Sequence, residues 1–335
     1  MVALAFLVIV ALNYVVNPYA QYGSHIFRPI VQESRLEKVQ LLSEMRAAPP
    51  SGLILGSSRV LKLEPDYLQR KTGFNFFNAG VNYGKPEDFL AIYRFVKQSY
   101  GPPKMVLIGI DPIALSDVEP TDARLMGTKE LAAQIPEFLT LEDRYKRWTD
   151  LLSWNQTKYA LKTLKANLSD QLENPDDFFR PDGLIVYHRR ERELRDGTYD
   201  FQDALDYNKS EYKHFYLRAK QLSERRCAAL ETLLADCKAN STRIHVFVTP
   251  HHPQLAEHLA KIDGASAFKE NAIDFVRRMT QTHNCKFRDL SSIDKFDGDP
   301  ALFVDGIHPL EANTRRMLDT VMAPDQWRQP KYAIQ

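Results

Sequence analysis

Three residues have the types and the setting for acyl chemistry: Ser58, Asp305 and His308. Ser58 lies in "GLILGSSRV" (52–60), where an apolar run stops at a glycine, two serines and an arginine. A serine hydroxyl is a weak nucleophile until an imidazole removes its proton, and the imidazolium that results needs a carboxylate beside it. The segment "FVDGIHPLEANTRRML" offers both, with Asp305 and His308 three residues apart ahead of an amphipathic helix. Each motif alone has a plainer reading. Serine is a good helix N-cap, and Asp305 could simply close the last helix with His308 on its surface. A second chemistry competes at "FVTPHHPQLAEHL": His251 and His252, with Asp111, Asp305 and His308, could bind a metal ion. Adjacent histidines diverge in extended chain, so the expectation is a serine mechanism with no metal and no cofactor.

Those residues need elements to carry them. Five short β-rich apolar runs occur, at Leu53–Leu55, Phe74–Phe77, Met105–Ile110, Ile244–Val248 and Phe287–Leu290, mostly separated by helical patterns. After "NYGKPED", for example, Phe89, Ile92, Tyr93 and Val96 recur on one helix face, and Pro86 suits the first turn. Alternating β and α segments with continuously apolar strands predict a parallel sheet covered by helices on both faces. Ligands in such sheets bind at the carboxyl ends of the strands. Ser57 and Ser58 fall at the end of the first run, and Gly56 permits the tight turn there.

In four places the chain resembles the SGNH or GDSL-type hydrolases. "LILGSSRV" is similar to the block that carries the nucleophile, with Ser58 at that position and Ser57 in place of the usual aspartate. "FNAGVNYG" matches Gly80 to the glycine whose amide helps form the oxyanion hole. "LIGID" stands where the family has an asparagine donor, here Asp111, and "VDGIHP" resembles the block with the aspartate and histidine, Asp305 and His308. The resemblance implies a three-layer flavodoxin-like five-stranded parallel sheet and a Ser58–His308–Asp305 triad. Its implied oxyanion hole comprises Ser58 and Gly80. An ionised Asp111 would repel an oxyanion, and Asn82, two residues after Gly80, is the substitute donor that spacing suggests. Arg59, Asp111 and His251 are the expected substrate contacts. The order of blocks behind an apolar N-terminus resembles a membrane-anchored bacterial branch that modifies cell-envelope polymers. That branch implies an esterase or O-acyltransferase acting on an acylated glycan or small acyl ester, beside a membrane-bound O-acyltransferase. A catalytically silent binding or assembly subunit is the alternative, prompted by Asp111.

The whole chain sets further bounds. With 335 residues, 44% hydrophobic and 26% charged, it is an ordinary globular composition, and a formal charge of +1 leaves no field to recruit nucleic acid. The first sixteen residues are almost wholly apolar, Asn13 being the clearly polar one. This predicts an inner-membrane anchor over 1–18, a juxtamembrane linker and helix over 19–50, and an α/β domain over 51–335 with a mainly helical insertion at about 113–208. Arg28, Arg35 and Lys38 follow the anchor and by charge counting would hold the rest inside. Large domains translocate largely regardless of that rule, so the expected location of the domain is the periplasm or the cell exterior. Within the insertion, helical patterns run from Leu141 to Leu168, and Trp148, Trp154, Phe178, Phe179 and Tyr187 could stack on sugars or pack. Cys237 and Cys285 fall on one sheet edge, where a disulfide is possible and free thiols are commoner. Asn-x-Ser/Thr matches at Asn155, Asn167, Asn208 and Asn240 carry little weight in a bacterial protein.

Overall fold

A computed structural model describes residues 2–324 apart from 23, 25, 31–32 and 170–176. The chain opens with α1 (Val2–Val16) and α2 (Ser34–Glu44), then β1 (Gly52–Gly56), α3 (Pro65–Thr72), β2 (Phe76–Asn78), α4 (Pro86–Tyr100) and β3 (Met105–Ile110). A long excursion follows: α5 (Ala123–Gly127), α6 (Lys129–Ala132), α7 (Leu141–Thr149), α8 (Trp154–Leu168), β4 (Asp177–Phe179), β5 (Ile185–Tyr187), α9 (His188–Asp196) and α10 (Phe201–Arg218). The chain then returns through α11 (Glu224–Ala239), β6 (Arg243–Val248), α12 (Pro253–Ala260), α13 (Ala265–Thr282), β7 (Lys286–Asp289) and α14 (Glu311–Met322).

The five-stranded sheet has the order β2-β1-β3-β6-β7, and every neighbouring pair is parallel. Alternation along the strands builds two cores. Leu53, Leu55, Val106 and Ile108 pack with α4, α11 and α13, whereas Ile54, Leu107 and Phe247 pack with α3 and α14. Both faces are therefore covered, which is why the strands read as unbroken apolar runs. The predicted second strand, Phe74–Phe77, is displaced to Phe76–Asn78; just ahead of it Asn75 N donates to Ser51 Oγ at 2.9 Å and Asn75 O accepts from Gly52 N at 2.9 Å. From β1 the chain crosses to β2 on one side of it and then to β3 on the other. This reversal opens a crevice beyond the carboxyl ends of β1 and β3.

Among the described residues no helix is long and apolar enough to cross a membrane. Within the predicted anchor, α1 has 15 residues, a rise of about 22 Å against a hydrocarbon core of ~30 Å. Its polar residue is a fastener: buried Asn13 donates to Leu151 O at 2.8 Å and to Thr157 Oγ1 at 2.9 Å, tying α1 to the insertion. Of the basic residues that follow α1, Arg35 and Lys38 are fully buried. Arg35 pairs with Asp88 through two hydrogen bonds of 2.7 and 3.0 Å, and Lys38 bonds Asn78 O and Gly183 O beneath the ring of Phe179.

The helices expected around Leu141 to Leu168 are α7 and α8. A turn at Asp150–Leu152 divides them, and Thr140 and Ser153 cap α7 and α8 through hydrogen bonds of 3.1 Å each. The β4–β5 hairpin docks on the turn that carries Ser58: Ile185 N donates to Leu61 O, and Asn78 N to Asp182 O. Gly183 enables this approach, because at φ +81° a Cβ there would lie 2.2 Å from Asn78 O. Cys227, Cys237 and Cys285 are free thiols, and burial pushes the Cys237 thiol well up.

Candidate active site

Ser58 opens a single 3-10 turn, Ser58–Val60, directly beyond β1, with Ser57 as its N-cap. The turn folds back tightly on the sheet. A Cβ at Gly56 would lie 2.6 Å from Val60 Cγ1, and one at Gly109 2.4 Å from it, so glycines at both strand ends admit Val60. Asn78, at the end of β2, clamps the turn by donating to Val60 O at 2.8 Å and Leu63 O at 2.9 Å. As the first residue of a turn, Ser58 presents an amide with no acceptor inside that turn.

His308 arrives from the opposite end of the chain. Its Nε2 lies 2.9 Å from Ser58 Oγ, and its Nδ1 lies 2.7 Å from Asp305 Oδ2. The other Asp305 oxygen accepts from the amides of Ile307 (2.8 Å) and His308 (2.9 Å), so the carboxylate is fixed as an acceptor. With Asp305 accepting at Nδ1, the tautomer that completes the chain of bonds leaves Nε2 to accept the Ser58 proton. Burial opposes ionisation of Asp305, but the neighbouring His308 and these hydrogen bonds outweigh it and hold the carboxyl below its usual range. The loop itself is braced from two sides: Gly306 N donates to Asn208 Oδ1 on α10 at 2.8 Å, and His252 N donates to Gly306 O at 2.9 Å. Asn208 is buried in this role, a use unrelated to its sequon match.

Other expected residues divide. Asn82 lines the cleft; its backbone is held by Ser34 Oγ at 3.0 Å and by Arg35 at 3.3 Å, and its side-chain amide has no partner among the described residues. Gly80 does not line the cleft. Its amide donates to Asn78 Oδ1 at 3.0 Å beside Val60, so it is already spent. Arg59 is 1% exposed and lies behind the cleft wall, bonded to Thr249 Oγ1 at 2.8 Å and paired with Asp111 at 3.1 Å. Burial works against its charge, but Asp111 and Tyr212 outweigh that and raise its pKa. Asp111 touches the cleft, yet Arg59 holds one oxygen and Tyr212 Oη donates to the other at 2.8 Å. His251 is 2% exposed, edge-on to Tyr212, and burial pushes its pKa well down. Arg59 and His251 thus support the wall instead of touching a substrate. His252 caps α12, turned away from His251, and among the described residues no group of His, Cys, Asp or Glu is arranged to hold a metal.

The cleft above Ser58 has a volume of about 660 Å³. One wall is a face of α10, where Asp203, Tyr207, Asn208, Glu211 and Tyr212 recur at helical spacing; the opposite wall includes Asn82, Tyr83 and Gly84. Tyr83 and Tyr207 expose 53% and 63% of their surface, and Tyr83 Oη donates to Glu211 at 3.0 Å. Burial raises the Glu211 carboxyl above its ordinary range. Tyr187 forms part of the lining with Arg190 over its ring, whereas Phe179 is packed under Lys38 and Trp148 and Trp154 lie outside the cleft. The segment that forms α10 belongs to the long middle whose position at the strand ends suggests an overhang of the cleft, but the individual lining residues were not singled out: Asp203, Tyr207 and Glu211 recur every four residues, and nothing in that pattern distinguished a lining face from a solvated one.

No protein-family model matches the chain, and no curated protein matches it. Among solved structures it is similar to one from Bacteroides fragilis NCTC 9343 provisionally assigned as an acylhydrolase, at 12% identity, over 81% of this chain and 83% of that chain, with a TM-score of 0.39. At that TM-score the similarity bears on neither fold nor chemistry, and both rest on this chain's own residues.

Proposed function

We propose that this protein is a serine-dependent acyl-ester enzyme. One observation carries the reading: the unbroken chain Asp305–His308–Ser58, with links of 2.7 and 2.9 Å, at the floor of an open cleft. Ser58 Oγ attacks the acyl carbonyl while His308 Nε2 takes its proton. The tetrahedral oxyanion is met by the Ser58 amide and the Asn82 side-chain amide. His308 then returns the proton to the departing alcohol, leaving an acyl-serine. Water, or a second hydroxyl, attacks that ester with its own proton passing to His308, and Ser58 is restored.

Asp111 weakens this hole less than its charge implies. Its carboxylate is compensated by Arg59 and by the Tyr212 hydroxyl, so the site lacks a donor but does not face an unpaired anion. A slow enzyme is the expected result.

The alcohol half of the ester is proposed to be a glycan of the cell envelope, with a membrane-bound O-acyltransferase as the candidate partner. Exposed Tyr83 and Tyr207, flanking Glu211, support a sugar at the mouth: rings stack on sugar faces and carboxylates accept from hydroxyls. The test is a fluorophosphonate probe together with acetyl-ester turnover. Wild-type protein should be labelled and active, and Ser58→Ala and His308→Ala should lose both. Labelling that persists in Ser58→Ala would remove this serine from the reaction. Complete inertness of a folded wild-type protein would favour a binding subunit.

A further inference from the structure

Two successive helices of the insertion each carry an exposed apolar stripe. On α7, Leu141, Tyr145 and Trp148 are 72, 63 and 45% exposed, at the i, i+4, i+7 spacing of one helix face. On α8, Trp154, Leu161 and Leu168 are 76, 52 and 75% exposed, at i, i+7, i+14. Ring contacts join this surface to α1: Tyr14 meets Tyr22 at 5.6 Å and Tyr22 meets Trp148 at 6.2 Å. α1 adds exposed Leu4, Phe6, Leu7 and Val8, and carries no charged residue.

The charges on α8 indicate what covers this face. Lys158, Lys162 and Lys165 are exposed beside the Trp–Leu–Leu stripe, and α8 contains no Asp or Glu. A solvated helix ordinarily mixes both signs. A protein–protein contact is depleted of lysine at its core. A stripe of Trp and Leu edged only by lysine is instead the pattern of a helix lying in a bilayer interface, where lysines meet anionic headgroups and indole sits at the boundary.

We infer that the α7–α8 face, continuous with α1, docks on an anionic lipid surface, so that the insertion lies on a membrane. None of the six stripe residues lines the cleft, so this inference is independent of the proposed acyl chemistry.

The test uses the full chain with phosphatidylcholine vesicles, alone or containing phosphatidylglycerol, with brominated acyl chains to quench tryptophan. Expected are preferential binding to the anionic vesicles and quenching that falls in Trp154→Phe and is largely lost when Trp148→Phe is added. Replacing Lys158, Lys162 and Lys165 together by Gln should weaken binding about a hundredfold, roughly fivefold per lysine, with an unchanged circular dichroism spectrum and unchanged labelling of Ser58. Equal binding to both vesicle types, or by the triple variant, would overturn the inference. So would unquenched Trp154 in vesicles combined with its crosslinking to an integral membrane protein, which would assign the face to a protein partner.

Discussion

Ser58, His308 and Asn82 are held by different means, and the means set what each substitution should do. Asn82 has a backbone fixed by α2 and a side chain free to donate into the cleft. Asn82→Ala should therefore lower kcat about 10²-fold with little change in KM, the signature of a donor used in the transition state; steady-state ester hydrolysis reads both constants. Asp111→Asn tests the opposite idea. Its side chain is turned to Arg59 and Tyr212, so the new amide should not raise activity, while the buried guanidinium loses its counter-charge and Tm should fall. Asp305 gives a pH prediction. Its carboxyl is depressed in the folded protein, so its stabilisation is complete above the unfolded value of about 3.9 and is lost as pH falls through the lower folded value. The Tm gap between wild type and Asp305→Asn should be constant at neutral pH and close below about pH 4. Ser58, Asp305 and His308 were readable because each sits in a short local motif. The surroundings of Gly80 and Arg59 were not: whether an amide is spent or a guanidinium buried depends on packing between separate segments.

At the level of elements, the site depends on clamps between segments that are individually modest. Asn78 holds the serine turn, and Asn208 on α10 holds the Asp305–His308 loop through Gly306. Asn208→Ala leaves the Gly306 amide unpaired in a buried place, which costs ~1–3 kcal/mol. The expected result is a kcat loss of roughly tenfold or more with a retained fold, measured by ester turnover alongside thermal melts. Rescue by Asn208→Asp, which keeps an acceptor at that distance, would support the positioning role; unchanged kcat in Asn208→Ala would refute it. The strands were legible because burial on both faces writes itself as continuous apolar sequence, and α4 because its apolar face repeats at helical spacing. The helices around 141–168 were legible as patterns, but the point of division at Asp150–Leu152 was not, although Thr140 and Ser153 are favourable N-caps. Apolar composition at the N-terminus is shared by spanning helices and by helices that pack or lie at an interface, and the Asn13 bonds to Leu151 and Thr157 were not legible in it.

Across the whole molecule, the nucleophile and its base are 250 residues apart and meet only when the sheet is assembled. Activity should therefore be lost in the same urea transition as the far-UV signal of the sheet and its helices; loss of activity at clearly lower urea would show a site that melts on its own. The sequence by itself determined the α/β alternation, the five strands and the residue types of the triad, because periodicity and short motifs are local properties. The tertiary structure decided which side chains meet. The β2-β1-β3 crossing puts the ends of β1 and β3 beside one crevice, the insertion lays α10 over it, and long-range pairing turns Asp111 toward Arg59. Each of these outcomes depends on distances between segments remote in the chain, and no local pattern encodes such distances.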